Sequence, residues 1–106
     1  MLKKALILTW ESYQDHEVVY PFYRVQEEGF KVDIMANKLG RIFGILGTYN
    51  ECTQSVYDLD DQNLFDKHMN EYDLLIIPGG VKALEYLRQH KSALKFIKEW
   101  DNNDDS

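Results

Sequence analysis

The sequence predicts an α/β protein built in three layers around a mainly parallel sheet. Strand-length apolar runs stand at Lys4–Thr9 and Tyr72–Ile77, and the first of them is continuous rather than alternating, as in a strand covered on both faces. Between and after these runs come segments with apolar residues at helical spacing. The resulting order, strand, helix, strand, a small β excursion, helix, strand and helices, is the alternation of an α/β sandwich.

Lys4–Thr9 is read as the first strand. Ser12 to Asp15 offers the serine and acid of a capping-box start. Val18, Phe22 and Val25 then share one helical face, and Gly29 is a C-terminal stop, so a helix is expected over Asp15–Glu28. Pro21 lies inside this stretch and removes one backbone donor, which leaves two options: a kink there, or a turn followed by a helix that begins near Tyr20. Phe30–Ala36 alternates apolar and polar residues and completes a β-α-β unit. Asn37–Asp60 carries Gly40, Gly44 and Gly47 between the short apolar pieces Arg41–Leu46 and Ser55–Leu59, the pattern of short strands and turns.

A brief helix over Asp61–Asn70 precedes Tyr72–Ile77, the most apolar strand candidate, which stops at Pro78-Gly79-Gly80. Ala83, Leu84 and Leu87 form one apolar stripe, and Ala93, Phe96, Ile97 and Trp100 another, giving two helical segments divided near His90. Residues 101–106 are polar and are expected to fray. Phe22, Phe96 and Trp100 sit at core spacing, so the aromatic content is read first as packing.

Composition narrows the function classes. In 106 residues there are 12 Lys and Arg against 18 Asp and Glu, a formal net charge of −6, which disfavours phosphate backbones and anionic lipid. Neither nucleic acid nor a membrane is expected as a partner. No apolar run approaches the roughly 20 residues needed to span a bilayer. The apolar part of the first segment is too short for a signal peptide, so a cytoplasmic location is expected. The one cysteine, Cys52, cannot form an internal disulfide. His16, His68 and His90 have no i, i+4 spacing, so no metal is expected. No cofactor is expected either, because Trp10-Glu11-Ser12-Tyr13 stands where a phosphate-binding glycine loop would follow the first strand.

Three segments together, residues 7–36, the glycine-bearing insert and Glu71–Gly80, resemble the amino-terminal half of the ThiJ/PfpI family, the intracellular protease-like branch of the class I glutamine amidotransferase-like superfamily. The matching features are Glu17 just ahead of Tyr20-Pro21, then Glu27-Glu28-Gly29, then the strand that ends in Pro78-Gly79-Gly80. The resemblance implies a flavodoxin-like sandwich, incomplete at its carboxyl-terminal side, with residues 1–100 as the amino-terminal part of one domain and 101–106 as a tail. It also implies Glu17 as a buried carboxylate partner of a cysteine nucleophile, Gly80 as an oxyanion-hole amide and Gly79 as part of the same turn. A neutral carboxylic acid donates a hydrogen bond to a thiolate, whereas an ionised one repels it.

The family's nucleophile strand would follow the helix over Ser92–Trp100. The resemblance therefore implies a cysteine-dependent hydrolase or glyoxalase/deglycase-type protein that is inactive as this chain alone. Cys52 is in the insert and does not replace the nucleophile. Leu84 stands where protease-like members carry an acid, with Glu85 one residue late, which weakens a protease reading. The alternative is a non-catalytic interaction or regulatory module of the same fold. Expected partners are further copies of the chain or a complementary carboxyl-terminal half.

Overall fold

A computed structural model describes residues 3–78 and 81–104. β1 (Lys3–Leu8), α1 (Asp15–Glu27) and β2 (Phe30–Ala36) form the expected β-α-β unit. β3 (Gly40–Phe43) and β4 (Tyr49–Cys52) make an antiparallel hairpin of their own. Then come β5 (Gln54–Ser55), a 3-10 helix (Val56–Asp60), α2 (Gln62–Glu71), β6 (Leu74–Ile76), α3 (Val81–Gln89) and α4 (Lys91–Asp104). The main sheet has the order β5-β2-β1-β6, with all neighbours parallel. The chain has the α/β, flavodoxin-like architecture with a mainly parallel sheet.

Side chains alternate across β1 and β2 and divide the core in two. Leu6, Leu8 and Met35 face α2, α4 and the 3-10 helix, where they meet Val56, Leu59, Phe65, Ala93 and Phe96. Ile7, Ile34 and Ala36 face the other way, onto Val18 of α1 and Ile42 and Cys52 of the hairpin. Every one of these side chains is buried, which explains why β1 reads as a continuous apolar run.

As expected, α1 begins at Asp15; it runs through Pro21, whose ring nitrogen leaves the Glu17 carbonyl without its intrahelical donor. Several other expectations are corrected. The capping box does not form: Gln14 is the N-cap without a side-chain bond, and Ser12 adopts a left-handed φ of 74° instead. The piece Ser55–Leu59 is largely 3-10 helix rather than strand, because the Ser55 hydroxyl accepts from the Tyr57 amide and turns the chain. Asp61 caps α2 by accepting from the amides of Asn63 and Leu64. β6 is only three residues long and half-buried. Residues 101–104, expected to fray, continue α4.

A buried polar chain ties the far strands together. Asp33 accepts from the Tyr72 hydroxyl at 2.7 Å and from the Thr53 hydroxyl at 3.0 Å, so β2, the β4–β5 link and the entry to β6 share one carboxylate. Burial, then the hydrogen bond to Asp33, pushes the Tyr72 phenol far above its ordinary range.

Phe96 is fully buried and meets Phe65 edge-on at 5.3 Å. Phe96→Ala is expected to cost about 3 to 5 kcal/mol through lost transfer energy and the cavity left behind, read as a lower urea midpoint, with Phe96→Leu costing clearly less.

Candidate functional site

The strand order fixes where a ligand crevice lies. From β1 the chain crosses to β2 on one side and later reaches β6 on the other, so the order reverses between β1 and β6. In open parallel sheets the crevice sits outside the carboxyl ends at such a reversal. Ile7 pairs with Ile76, so the segments leaving both strands, Thr9–Gln14 and Ile77–Pro78, exit on this edge side by side.

The segment after β1 is fastened almost residue by residue. The Glu11 amide donates to Asn37 Oδ1 at 2.9 Å, and the Glu11 carboxylate accepts from the Phe43 amide at 3.4 Å and pairs with Lys38 at 3.5 Å. The Ser12 amide donates to the Phe43 carbonyl, and the Tyr13 carbonyl accepts from the Ile45 amide. The buried Tyr13 hydroxyl donates toward the Ile42 carbonyl and Asn50 Oδ1. Burial pushes the Tyr13 phenol up to about 12, with the Asp15 and Glu11 charges adding to the effect.

Asp15 is the strongest of these fastenings. At 5% exposure its carboxylate accepts from the amides of Leu46 at 2.7 Å and Thr48 at 2.9 Å, and from the Thr48 hydroxyl. The turn of the hairpin is thereby held on the first turn of α1. Gly44 permits this approach: a Cβ there would sit 2.5 Å from the Asp15 carboxyl carbon. The Thr48 hydroxyl bond, then the two amides, holds the Asp15 carboxyl below its usual range. The sequence reading took Asp15 only as a helix start, since its partners lie more than 30 residues away and leave no local pattern.

Trp10 closes the edge between the two halves of the core and packs against both. Its ring stacks on Tyr86 of α3 at 5.9 Å and meets His90 at 6.3 Å and Tyr57 at 6.5 Å.

The site residues implied by the resemblance divide as follows. Glu17 is in the first turn of α1, but its side chain is 45% exposed and its one ion pair among the described residues is with His16 at 3.7 Å. The expectation that it is buried is corrected. Asp15 and Val18 take the inward positions of this turn, and Glu17 falls on the outer side. Gly79 and Gly80 lie outside the described residues. Cys52 is buried in β4 and donates to the Gln54 carbonyl at 3.1 Å. Burial pushes its thiol up, away from the thiolate form. Among the described residues no three His, Cys, Asp or Glu side chains could together hold a metal ion, and no helix is long and apolar enough to cross a membrane.

A carboxyl held low in the fold contributes stability that is present above its unfolded pKa and is lost as the pH falls through the folded value. Asp15→Asn is therefore expected to lower the thermal midpoint at pH 7, and the gap to the wild type is expected to shrink toward pH 3. Thermal unfolding of both proteins across this range checks it.

The model of the DJ-1/PfpI family matches residues 3–105. A protein named Deglycase TK1284 from Thermococcus kodakarensis is 32% identical over 97 residues, covering 91% of this chain and 52% of the relative. One named Deglycase PH1704 from Pyrococcus horikoshii is 33% identical over the same length, with the same coverage. The chain thus spans about half the length of the curated relatives it matches. Among solved structures, a ThiJ/PfpI domain protein from Brachyspira murdochii superimposes with a TM-score of 0.78 at 17% identity, over 97% of this chain and 55% of that one. A two-domain protein from Anabaena variabilis, with DJ-1/ThiJ/PfpI-like and ferritin-like domains, gives 0.78 at 21% identity, over 95% of this chain and 27% of that one. With its β-α-β start, β1/β6 crevice and family match over nearly its whole length, the chain belongs to the DJ-1/PfpI family.

Proposed function

We propose that this chain supplies the carboxylate side of a cysteine-dependent site of the deglycase, glyoxalase or related hydrolase type. In this reading Glu17 is the acid that faces the thiol, and Gly79 and Gly80 offer backbone amides to an oxyanion. The observation that carries it is the strand reversal between β1 and β6. It brings the segment that leads from β1 into α1, whose first turn carries Glu17, beside the segment that leaves β6. The two relatives named as deglycases support this chemistry over a protease.

The thiol has to come from outside these 106 residues, because Cys52 is buried in β4 and its thiol is pushed up. A thiol-bearing element laid over the crevice would desolvate Glu17 and favour the neutral acid that donates to a thiolate. Half-buried β6 is the edge of the sheet among the described residues, and its free edge is the natural place for a further strand.

The test is turnover of a methylglyoxal adduct of a model amine, with the chain alone and with the cysteine-bearing carboxyl-terminal half of a relative such as Deglycase PH1704 added. The chain alone is expected to be inactive and the pair active. Glu17→Gln is expected to cost the pair about a hundredfold or more, the scale of a lost proton-transfer group, and Cys52→Ala to change little. Turnover by the chain alone that Cys52→Ala abolishes would falsify the assignment.

A second reading, an assembly module without its own chemistry, is favoured by one surface. Tyr20 and Tyr23 of α1 and Ile45, Leu46 and Tyr49 of the hairpin are exposed, Leu46 at 79%, beside a groove lined by Val19, Tyr23 and Gly47–Asn50. Light scattering is expected to find the wild-type chain in more than one copy and Leu46→Glu shifted toward the monomer, with Glu17→Gln unchanged. A monomeric wild type would remove this reading.

A further inference from the structure

α4 carries its charges in the order a helix disfavours. Carboxylates suit the amino end of a helix and cations its carboxyl end, where they answer the unpaired amides and carbonyls. α1 follows this rule, with Asp15 and Glu17 in its first turn and Arg24 in its last. α4 opens on Lys91, repeats a lysine at positions 95 and 98, and only then turns acidic at Glu99 and Asp101. Its first turn has no acid and its last turn no base. Packing holds the helix in place all the same: Ala93 and Phe96 are fully buried, and the Ser92 hydroxyl donates to Asp60. The charge of the lysines works against the helix that bears them.

Lys91, Lys95 and Lys98 recur at i, i+4 and i+7, so they share one face, turned away from Ala93 and Phe96. All three are exposed, and with half-buried Leu94 among them and Glu99 beside them they line a groove of about 320 Å³. Among the described residues the lysine and arginine side chains that form ion pairs are Lys4, Arg24 and Lys38. The three on α4 form none, and Lys95 Nζ lies over the Phe65 ring at 5.1 Å instead. In a chain with 18 acids and 12 lysines and arginines, three uncompensated cations thus stand within two turns of one helix.

Cations around an apolar centre fit one kind of partner surface. Carboxylates meet the lysines at the rim and an apolar side chain meets Leu94 in the middle, the layout of an interface with an apolar core and a charged rim. At about 1.5 Å of rise per residue, the outer two lysines stand about 10 Å apart along the axis, the span of acids at the same spacing on a second helix. The net charge of −6 repels an extended nucleic acid or an anionic lipid surface. A short acidic segment is screened from the rest of the chain beyond roughly 8 to 10 Å and feels mainly the lysines. We propose that the Lys91, Leu94, Lys95 and Lys98 face of α4 is a docking surface for an acidic amphipathic helix of a partner protein.

The experiment is an NMR titration of the isotope-labelled full chain with a synthetic helical peptide that bears glutamates at i, i+4 and i+7 and a leucine at i+3. The comparison probes are the same peptide with lysines for glutamates, and phosphatidylglycerol-containing vesicles. The acidic peptide is expected to shift the α4 amides from Lys91 to Lys98, with affinity falling about tenfold or more between about 50 and about 300 mM salt. The two comparison probes are expected to leave these amides unchanged. Lys95→Glu combined with Lys98→Glu is expected to weaken the acidic peptide about tenfold or more. Lys91→Glu is expected to weaken it as well while raising the thermal midpoint, because an acid at the first helical position suits the dipole; binding lost through damage to the fold would move the midpoint down. The proposal is overturned by an acidic peptide that shifts none of these amides, by an equal response to the lysine peptide or the vesicles, or by unchanged affinity in the double charge reversal. Shifts of the same amides with the chain's own concentration would put a second copy on this face and overturn it too.

Discussion

The carboxylate of Asp15 is the joint on which the functional edge of this molecule depends. It belongs to the first turn of α1, where a negative charge is favoured by the helix dipole, yet it spends its oxygens on the turn of a hairpin. Without that joint the hairpin has only the β1–α1 segment and one side of β2 to rest on. A buried carboxylate is costly unless its lone pairs are met, and here two amides and a hydroxyl meet them. The same contact explains Gly44, whose φ is ordinary and whose missing side chain is what the geometry requires.

The rest of the edge is organised by the sheet. Parallel pairing of β1 with both β2 and β6 puts the carboxyl ends of β1 and β6 together, and the strand reversal keeps the helices that follow them from closing over the gap. Polar side chains stitch this arrangement at points where apolar packing alone leaves freedom. Asp33 collects Tyr72 and Thr53 across the sheet, and Glu11 collects Asn37, Lys38 and Phe43 around the hairpin. Each such group is fully used by partners from distant segments, which favours one arrangement over near alternatives.

The position of Glu17 shows how close structure and proposed chemistry lie. One turn of helix carries Asp15 inward, Glu17 outward and Val18 inward again, so the turn that buries Asp15 leaves Glu17 on the outer face. Glu17 is exposed and β6 is half-buried, and the proposed thiol-bearing element would cover both.

The sequence by itself determined the α/β class, the β-α-β start, the hairpin insert and the two C-terminal helices, because these follow from periodicity in burial and from glycine and proline punctuation, which act over a few residues. Through motif spacing it also pointed to the family. Only the tertiary structure decided that Ser12 leaves its capping role, that Ser55–Leu59 turns into a 3-10 helix and that α4 runs on through residues 101–104. It alone revealed the tasks of Asp15 and Asp33. The reason is physical: a carboxylate takes its role from partners brought near by the fold, here from 20 to 39 residues away in the chain, and no local pattern records which donor will arrive.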